Sequence, residues 1–352
     1  MSEATTATAT QTREEDVILE IEDADVSFDM NRGQARVLND VSLDVYRGEK
    51  LGIVGESGCG KSIFASALMD AVTDPGQLSG SITYYPENNE PTDILELNNT
   101  QLNRLRWEEM AMVFQGAMNS FNPSKPIGTH FKETLAAHNA EKEEGMERAR
   151  DLLRDLQLDP ERILESYQHE LSGGQKQRVL IALSLILNPE VLVMDEPTAA
   201  LDLLMQRKIL RLLLEIKEEY NLTIVFITHD LPIASGFVDR LAVMYAFEFV
   251  ELGGIKDVMH NAAHPYTRAL LRSTPNLEMS VDEIETVGGS SPDPINIPSG
   301  CPYHPRCPVA DDRCEIEEPE LVDVEDDHAA ACFYTDRAQD EIPLSIYGGE
   351  SA

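Results

Sequence analysis

Short, continuous apolar runs alternate along the chain with longer segments in which apolar residues recur at helical spacing. The runs occupy residues 17–21, 51–54, 112–114, 191–194 and 224–227. Apolar runs of this length are typical of strands buried in a parallel sheet. Two longer segments, 141–156 and 203–220, repeat apolar residues at the helical period. Strands that alternate with helices predict an α/β fold.

Changes in composition divide the chain further. Residues 1–16 are rich in Thr, Ala and Glu and lack periodicity, which predicts a disordered tail. The α/β domain is predicted over residues 17–275. Gly, Ser and Pro then crowd into VGGSSPDPINIPSGCP, which indicates a linker at the start of a cysteine-bearing extension over residues 276–335. Residues 336–352 predict a polar tail, and the sequence contains no internal repeat.

The chain is strongly acidic, with 28 Lys and Arg residues against 63 Asp and Glu residues and a formal net charge of -35. The acids are scattered along the whole length, whereas a docking surface for a basic partner would concentrate them in one block. We interpret the charge as an adaptation to high cytosolic salt. Nucleic acid is not expected as a partner, because the phosphate backbone requires a basic stripe.

The sequence lacks a membrane-spanning pattern, since it contains no apolar run of about 18 residues or more. Its N-terminus also lacks the basic start and apolar stretch of a secretory signal. We therefore expect the protein to be made and kept in the cytosol.

A glycine-rich loop follows the second apolar run. Residues 55–62 read GESGCGKS, which matches the phosphate-loop pattern between a strand and a helical segment, KSIFASALMDAV. Backbone N–H groups of such a loop converge on phosphate oxygens. We expect Lys61 to bridge the β and γ phosphates of a nucleotide and the Ser62 hydroxyl to ligate Mg²⁺. The predicted nucleotide-binding residues of the loop are Gly55, Glu56, Ser57, Gly58, Cys59, Gly60, Lys61 and Ser62.

Two carboxylates follow the apolar run 191–194, in the sequence VLVMDEP. This order places Asp195 and Glu196 at the end of a buried strand. Asp195 is suited to hold Mg²⁺, and Glu196 is suited to deprotonate the water that attacks the γ phosphate. Alone, such a pair could simply end a surface strand, but together with the phosphate loop it predicts nucleotide hydrolysis.

Residues 171–178 read LSGGQKQR, and with the preceding motifs they resemble the signature of ATP-binding cassette (ABC) ATPases. The resemblance implies a P-loop ATPase domain with a mixed-sheet core and a helical subdomain at about residues 116–180. It also implies that each ATP lies between two cassettes. The residues that would contact the nucleotide of the opposite subunit are Ser172, Gly173, Gly174 and Gln175.

Four further positions match the family. Gln115 resembles the glutamine that senses Mg²⁺ and contacts the segment facing the membrane subunits. His229 resembles the histidine that reaches the γ phosphate. Asp202 resembles an aspartate at the dimer seam, although an exposed helix cap is the alternative. Phe28 lies where the family places an aromatic ring on adenine, although a phenylalanine that closes a strand often belongs to the core.

Spacing narrows the family further. Lys61 and Ser172 are 111 residues apart, too close for the long coiled coils of chromosome-organising relatives. Each motif occurs once, which excludes translation factors with two cassettes. Exporters that are fused to membrane domains are excluded as well, because the sequence lacks membrane-spanning segments. The alternatives that remain are a soluble ABC ATPase of iron-sulfur assembly or DNA repair, and a scaffold that has lost catalysis.

The C-terminal segments HPYTRALL and PSGCPYHPRCP look like those of ATP-binding subunits of oligopeptide and dipeptide importers. The resemblance then covers roughly residues 17–335. It implies a second ATPase subunit, either a paralogue or an identical copy, two integral membrane permease subunits and an extracellular solute-binding protein. The location implied is the cytoplasmic face of the membrane. The same group includes importers of nickel and, in archaea, of sugars.

Four cysteines lie in this extension, separated by five, six and seventeen residues: Cys301, Cys307, Cys314 and Cys332. Cytosolic thiols at this density indicate metal more than disulfides. The absence of a CxxC pair argues against a common zinc ribbon. Family resemblance implies a [4Fe–4S] cluster on the four thiolates, while zinc and free or bridged thiols remain alternatives. Cys59, inside the phosphate loop, is interpreted as a small spacer.

Two departures from the family pattern stand out. Gly116 and Ala117 follow Gln115 where the family usually has an acidic residue and a proline. Phe247, in MYAFEFVELG, stands where the family commonly has a glycine. The first departure affects coupling to the membrane subunits, and neither affects the expected ATP chemistry.

Overall fold

The structure, a computed structural model, describes residues 16–87, 89–116, 120–199, 201–273 and 287–344. Nearly all of the predicted N-terminal tail, the first part of the predicted C-terminal extension and the end of the predicted C-terminal tail lie outside these residues. The chain forms two compact units. The first comprises residues 1–20, 44–49 and 82–227, and the second comprises residues 21–43, 50–81 and 228–352.

The strands and helices follow one another through both units. The strands are β1 (Val17–Met30), β2 (Gly33–Tyr46), β3 (Lys50–Val54), β4 (Gly76–Tyr84), β5 (Thr92–Asp93), β6 (Met110–Val113), β7 (Val191–Asp195), β8 (Thr223–Ile227), β9 (Arg240–Tyr245), β10 (Glu248–Gly254), β11 (Val322–Glu325) and β12 (His328–Ala330). The helices are α1 (Lys61–Ala67), α2 (Asn99–Glu108), α3 (Ile127–Ala137), α4 (Lys142–Asp155), α5 (Pro160–Glu165), α6 (Gly173–Ser184), α7 (Leu203–Tyr220), α8 (Leu231–Ser235), α9 (Ile255–Asn261), α10 (Pro265–Arg272), α11 (Asp312–Ile316) and α12 (Thr335–Glu341).

The first unit contains a parallel array in the order β8-β7-β6. Every residue of β7 and β8 is buried, which explains why these strands read as uninterrupted apolar runs. Register pairs Val113 with Met194 and Asp195 with Ile227. The carboxyl ends of the three strands therefore lie at one edge, where polar side chains can meet.

The helical part of the first unit consists of α3, α4, α5 and α6, which contact one another. Glu141 begins α4 by accepting a hydrogen bond from the Glu144 N–H, and Asp159 begins α5 in the same way through the Arg162 N–H. Such caps satisfy N–H groups that lack partners inside the helix. Helix α6 contacts β6 as well as α4 and α7, so these helices are tied to the sheet of this unit.

The second unit contains a mixed sheet. Strand β3 is parallel to β9, whereas β9 with β10, β10 with β12 and β12 with β11 are antiparallel. Ala246 and Phe247, the two residues between β9 and β10, have φ angles of 49° and 77°. This left-handed turn is a conformation that glycine adopts without strain, which gives a physical reason for the glycine expected at position 247.

A further sheet has the order β2-β1-β4-β5. Its β1 contains the apolar run 17–21, which therefore lies outside the two arrays described above. The end of β4 pairs antiparallel with β5 through Thr83 with Asp93 and Tyr84 with Thr92.

Helix α7 has the bounds that the sequence predicts, and α4 differs by one residue at each end. By contrast, α1 ends at Ala67, whereas the helical pattern continued to about residue 72. Helix α12 crosses the boundary at which the polar tail was predicted. Within and after it, Ala338 and Ile342 are buried against Val309, so this stretch contributes to the core.

Candidate functional site

The phosphate-loop sequence lies in the second unit, between β3 and α1. A Cβ atom at Gly55 would stand 2.2 Å from the Met244 carbonyl oxygen, and one at Gly60 would stand 2.7 Å from the Val37 carbonyl oxygen. Neither distance is possible for a real side chain, so both glycines are required by close backbone approach. At Gly58 a Cβ atom would meet nothing within 4 Å, which leaves this side of the loop open to a ligand.

Lys61 folds back into the loop. Its ammonium donates hydrogen bonds of 2.8 Å to the carbonyl oxygens of Gly55 and Glu56, and its side chain is nearly buried. Ser57 and Ser62 are exposed. Cys59 is buried, and burial raises the pKa of its thiol against the opposing effect of the Lys61 charge. This agrees with a spacer and not with a reactive thiol.

Two more predicted residues lie in this unit. His229 is exposed and follows Thr228, whose N–H donates to the Ile53 carbonyl in β3. His229 is thereby placed at the end of the unit's sheet from which the phosphate loop emerges. Phe28 is half-buried in β1, with its ring so close to Gly76 that a Cβ there would lie 2.8 Å away. One edge of the Phe28 ring thus packs against Gly76.

The predicted carboxylates lie at the strand ends of the first unit. Asp195, the last residue of β7, is only 3% exposed. Glu196 follows it with a φ of 48°, a conformation that costs free energy for a residue other than glycine. Its N–H donates to the Ile227 carbonyl. Backbone strain of this kind is often found at functional sites, where it aims a side chain.

Gln115 contacts the predicted base directly. Its Nε2 donates a 2.8 Å hydrogen bond to Oε2 of Glu196. The contact arises because β6 and β7 are parallel neighbours, and both residues follow the carboxyl ends of these strands. The structure therefore brings together Gln115, Asp195 and Glu196. Of the two unusual residues after Gln115, Gly116 has a φ of 69°, whereas Ala117 lies outside the described residues.

The signature segment forms the start of α6. Ser172 accepts a hydrogen bond from the Gln175 N–H, and Oε1 of Gln175 accepts one from the Ser172 N–H. Ser172 and Gly173 are exposed, whereas Gly174 is buried and a Cβ there would lie 2.3 Å from the Met205 methyl group. The exposed Ser172 and Gly173 can therefore face a partner, while Gly174 serves packing inside the chain.

Asp202 caps α7. Its carboxylate accepts hydrogen bonds of 3.1 Å from the N–H groups of Leu204 and Met205. Within the single chain it is thus the helix cap that the sequence allowed as an alternative. Beside it, Leu203 and Leu204 are 56% and 78% exposed. Exposed leucines of this kind are typical of a surface that another protein covers.

The four cysteines of the extension line one cavity, together with His264 and Tyr303 among others. All four thiols are free in this structure, so the bridged alternative is not supported. Burial raises the pKa of Cys301 to about 12, and burial raises that of Cys307 and that of Cys332 to about 11. Each of these shifts is increased by the charge of neighbouring cysteines, so ionised thiolates would need a cationic partner.

The donor set limits which group could bind. No group of three or more His, Cys, Asp or Glu residues in the described part of the chain is arranged to hold a metal ion. Tetrahedral zinc needs its sulfur atoms about 2.3 Å from one centre. The four thiols line one apolar cavity, and four thiolates are the donors that a [4Fe–4S] cluster takes.

Two arginines with buried side chains, Arg178 and Arg306, make contacts that the sequence does not predict. Arg178 donates to the carbonyls of Gly174, Leu156 and Gln157, and so joins the start of α6 to the end of α4. Arg306 donates to Glu56 of the phosphate loop. No local pattern points to Arg306, because the residues that it contacts are distant in the chain.

Known protein families match both the predicted α/β domain and the C-terminal extension. A model of the ABC transporter family matches residues 38–199, and a model of the C-terminal region of oligopeptide/dipeptide transporters matches residues 250–314. The chain is 37% identical to the dipeptide transport ATP-binding protein DppD of Caldanaerobacter subterraneus subsp. tengcongensis, over 90% of this chain and 96% of that protein. It is 38% identical to the oligopeptide transport ATP-binding protein OppD of Escherichia coli, over 95% and 98%.

Solved structures give the same result for the fold. The dimeric structure of MJ0796, a bacterial ABC transporter cassette, aligns with a TM-score of 0.59 and 28% identity, covering 68% of this chain and 99% of that one. A dimer of the same cassette in a post-hydrolysis state with ADP and phosphate aligns with a TM-score of 0.58 over the same shares.

Proposed function

The chain belongs to the ATP-binding subunits of the ABC transporter family, and from this premise we propose that its ATP hydrolysis drives import of dipeptides or oligopeptides. The likeness to DppD and OppD proteins carries the proposal, because it spans at least nine-tenths of the chain. It includes residues 250–314, which match the model of the C-terminal region of oligopeptide/dipeptide transporters. The predicted ABC cassette fold is confirmed by the cassette structures, and the soluble and scaffold alternatives are not favoured.

In the second unit we assign phosphate binding to the loop 55–62. Its open side at Gly58 and the buried Lys61 ammonium support this assignment. Phe28 would stack on adenine, and His229 would contact the γ phosphate. Ser62 would ligate Mg²⁺, which neutralises charge on the phosphate oxygens. Within the first unit, Gln115 and Asp195 are the residues suited to hold Mg²⁺.

In the first unit we assign general base catalysis to Glu196. Its carboxylate takes a proton from the attacking water as the water oxygen bonds to the γ phosphorus, and the bond to the β-phosphate oxygen breaks, leaving ADP and phosphate. The hydrogen bond from Gln115 holds the carboxylate in one orientation. Glu196 thus acts from a fixed position, which favours reaction.

We propose that the chain works with a second ATPase subunit, either a paralogue or an identical copy. The exposed Ser172 and Gly173 and the exposed leucines beside Asp202 support a surface that such a subunit covers. Ser172, Gly173 and Gln175 would complete the nucleotide site of that partner, whereas Gly174, predicted with them, packs inside the chain against Met205.

We propose two integral membrane permease subunits as further partners, fed by an extracellular solute-binding protein. In the described residues, no helix has the length and apolar character needed to cross a membrane. A groove of the first unit supports the contact, because it lies beside Gln115 and is lined by Trp107, Phe114 and Phe121 among others. Phe114 is 51% exposed there. The chain would then be peripheral, at the cytoplasmic face.

We further propose that Cys301, Cys307, Cys314 and Cys332 hold a [4Fe–4S] cluster. Their shared apolar cavity supports the proposal. A cluster there would supply the positive charge that buried thiolates need and would join the segments that carry the cysteines. No step of ATP hydrolysis depends on it.

We also propose that the chain comes from a halophilic archaeon, because its net charge is -35. A high net charge destabilises the folded chain through repulsion between like charges, and salt screens this repulsion. ATPase activity that is stable in molar potassium chloride and lost at low salt would support this assignment, and equal stability in both would contradict it.

Purification of the complex from its native membrane tests the main proposal. We expect two polytopic membrane proteins to co-purify with the chain, and we expect the reconstituted complex to accumulate labelled dipeptides or oligopeptides only with ATP. Accumulation of nickel or a sugar instead would replace the substrate class. A chain that hydrolyses ATP but never co-purifies with membrane subunits would contradict the transport role.

A further inference from the structure

A bidentate ion pair joins the cysteine-bearing extension to the phosphate loop. Nη2 of Arg306 donates to Oε1 of Glu56 at 2.7 Å, and Nη1 donates to Oε2 at 2.9 Å. The two side chains are only 8% and 21% exposed. Ser291 adds a hydroxyl donor, with its Oγ at 2.8 Å from Oε2 of Glu56. Paired donors of this kind fix geometry as well as charge.

The guanidinium is itself held on several sides. Its Nε donates to the Gly288 carbonyl at 2.6 Å, and Nη1 lies 3.3 Å from the Tyr245 hydroxyl. The same group lies over the rings of Tyr245 and Tyr303, 5.5 Å and 5.7 Å from their centroids, within the range of cation–π attraction. Arg306 is therefore set in place before any ligand arrives.

Glu56 matters because of its position in the loop. Its carbonyl accepts a hydrogen bond from the Lys61 ammonium, and its N–H donates to the Tyr266 hydroxyl at 2.9 Å. A shift of Glu56 would thus disturb Lys61. Burial alone would raise the pKa of Glu56, but hydrogen bonds from Arg306 and Ser291 outweigh burial and lower the pKa. Glu56 is therefore a carboxylate in a loop that must receive the negative charges of ATP.

We propose that Arg306 is a positioning residue for nucleotide binding, which cancels the charge of Glu56 and fixes the first turn of the phosphate loop. An unpaired carboxylate beside a polyphosphate would repel it, most strongly where water is partly excluded. Arg306 removes this repulsion without touching the nucleotide. The inference rests on the proposed function, because it presupposes that the loop binds ATP.

The alternative is that the ion pair only fastens the extension to the second unit. The two roles differ in how they depend on the charge of Glu56. If Arg306 acts by neutralisation, removal of the carboxylate makes Arg306 dispensable for nucleotide binding. If it acts only as a fastening, removal of both partners weakens the chain at least as much as removal of one.

Binding of MgATP to the full-length chain, measured by titration calorimetry, separates the two roles. We expect Arg306→Ala to weaken binding about tenfold, equivalent to about 1.4 kcal/mol. Glu56→Gln should tighten binding about threefold, because the charge of Arg306 then remains near the phosphates. The double variant should return to within about threefold of the wild type. A double variant as weak as Arg306→Ala would overturn the proposal.

Arg313→Ala is the matched control, because Arg313 lies in the same extension but pairs with Glu317 on the surface. It should bind MgATP like the wild type, and equal weakening in this variant would overturn the proposal. Thermal unfolding of each variant identifies any that fail to fold, and Arg306→Lys, which keeps the charge, should bind better than Arg306→Ala. A wild-type chain that does not bind MgATP would overturn the proposed function itself, whereas unchanged binding in Arg306→Ala would overturn only this inference.

Discussion

The amide of Gln115 donates a 2.8 Å hydrogen bond to the carboxylate of Glu196, across 81 positions of sequence. Parallel pairing of β6 and β7 creates this contact, since each residue follows the carboxyl end of its strand. The amide can donate only while Glu196 offers an acceptor oxygen. The pair therefore holds the proposed base in a single orientation, and the two residues can be tested separately.

Glu196→Gln should abolish hydrolysis while nucleotide binding remains. General base catalysis contributes roughly 10²–10⁴-fold, so we expect kcat to fall at least about 100-fold. The variant should also accumulate as an ATP-bound dimer, measurable by gel filtration with ATP. Glu218→Gln is the control, because Glu218 is exposed in α7, and it should retain full activity. Wild-type turnover in Glu196→Gln would remove Glu196 from its role.

Gln115→Ala should lower kcat more than it changes KM for ATP. Loss of one hydrogen bond to a charged group costs about 1.5 kcal/mol, which corresponds to about a tenfold fall in kcat. Steady-state ATPase assays at saturating Mg²⁺ measure both constants. A raised KM with unchanged kcat would instead place Gln115 in nucleotide binding, with no effect through Glu196.

The elements that carry the proposed nucleotide site could be predicted from local sequence because each is a short segment. The loop 55–62 is encoded by glycines that backbone approach requires, as Gly55 and Gly60 show. Strand β7 and its two following carboxylates form another such unit, and α7 carries its own apolar period and its Asp202 cap. In β7 and α7 the physical cause lies within a few residues of its effect, whereas Gly55 and Gly60 are required by the carbonyls of Met244 and Val37, which are distant in the sequence.

Long-range pairings could not be predicted in the same way. Arg306 and Glu56 are 250 positions apart, and no spacing rule relates them. Strand β12 pairs with β10 in the mixed sheet of the second unit, but its three residues, HAA, are too few to show a strand pattern. The early end of α1 is followed by a turn of the backbone at Asp70, where φ is 46°.

Arg178→Ala should destabilise the helical part of the first unit. The substitution removes the donors of three backbone carbonyls, those of Gly174, Leu156 and Gln157. Loss of buried charged hydrogen bonds costs about 3 kcal/mol in the free energy of unfolding, measurable by urea titration. Lys176→Ala in the same helix is the control and should cost about 0.5 kcal/mol or less. Equal losses in both variants would contradict a special role for Arg178.

Metal content tests the four-cysteine segment. Protein purified without oxygen should be brown and contain about four irons per chain. Serine at Cys307 or Cys314 should abolish the colour, whereas Cys59→Ala should keep it, because Cys59 is buried in the phosphate loop. Colourless protein without iron would exclude the cluster, and about one zinc per chain would replace it with the zinc alternative.

The stability of the second unit should depend on pH through His328. Its Nε2 lies 2.8 Å from Oε1 of Glu251, and both side chains are almost fully buried. Glu251 also accepts hydrogen bonds from the N–H groups of Ala263 and His264. Burial would lower the pKa of His328, but the hydrogen bond and the charge of Glu251 outweigh burial and raise the pKa. The pair joins β12 to β10, so its charge state affects how firmly the C-terminal strands are held.

A histidine whose pKa is raised in the folded state stabilises the fold fully at pH values below its unfolded-state pKa, which is about 6.5. This contribution is lost as the pH rises through the folded-state pKa. We therefore expect the melting temperature of the wild type to fall between about pH 6.5 and the folded pKa. His328→Gln should melt lower at acidic pH and should lack this part of the fall, since glutamine does not titrate. The nearby acids Asp257 and Glu325 remain in both proteins, so the difference between the two profiles isolates His328. Parallel profiles would show that His328 stays neutral in the folded chain.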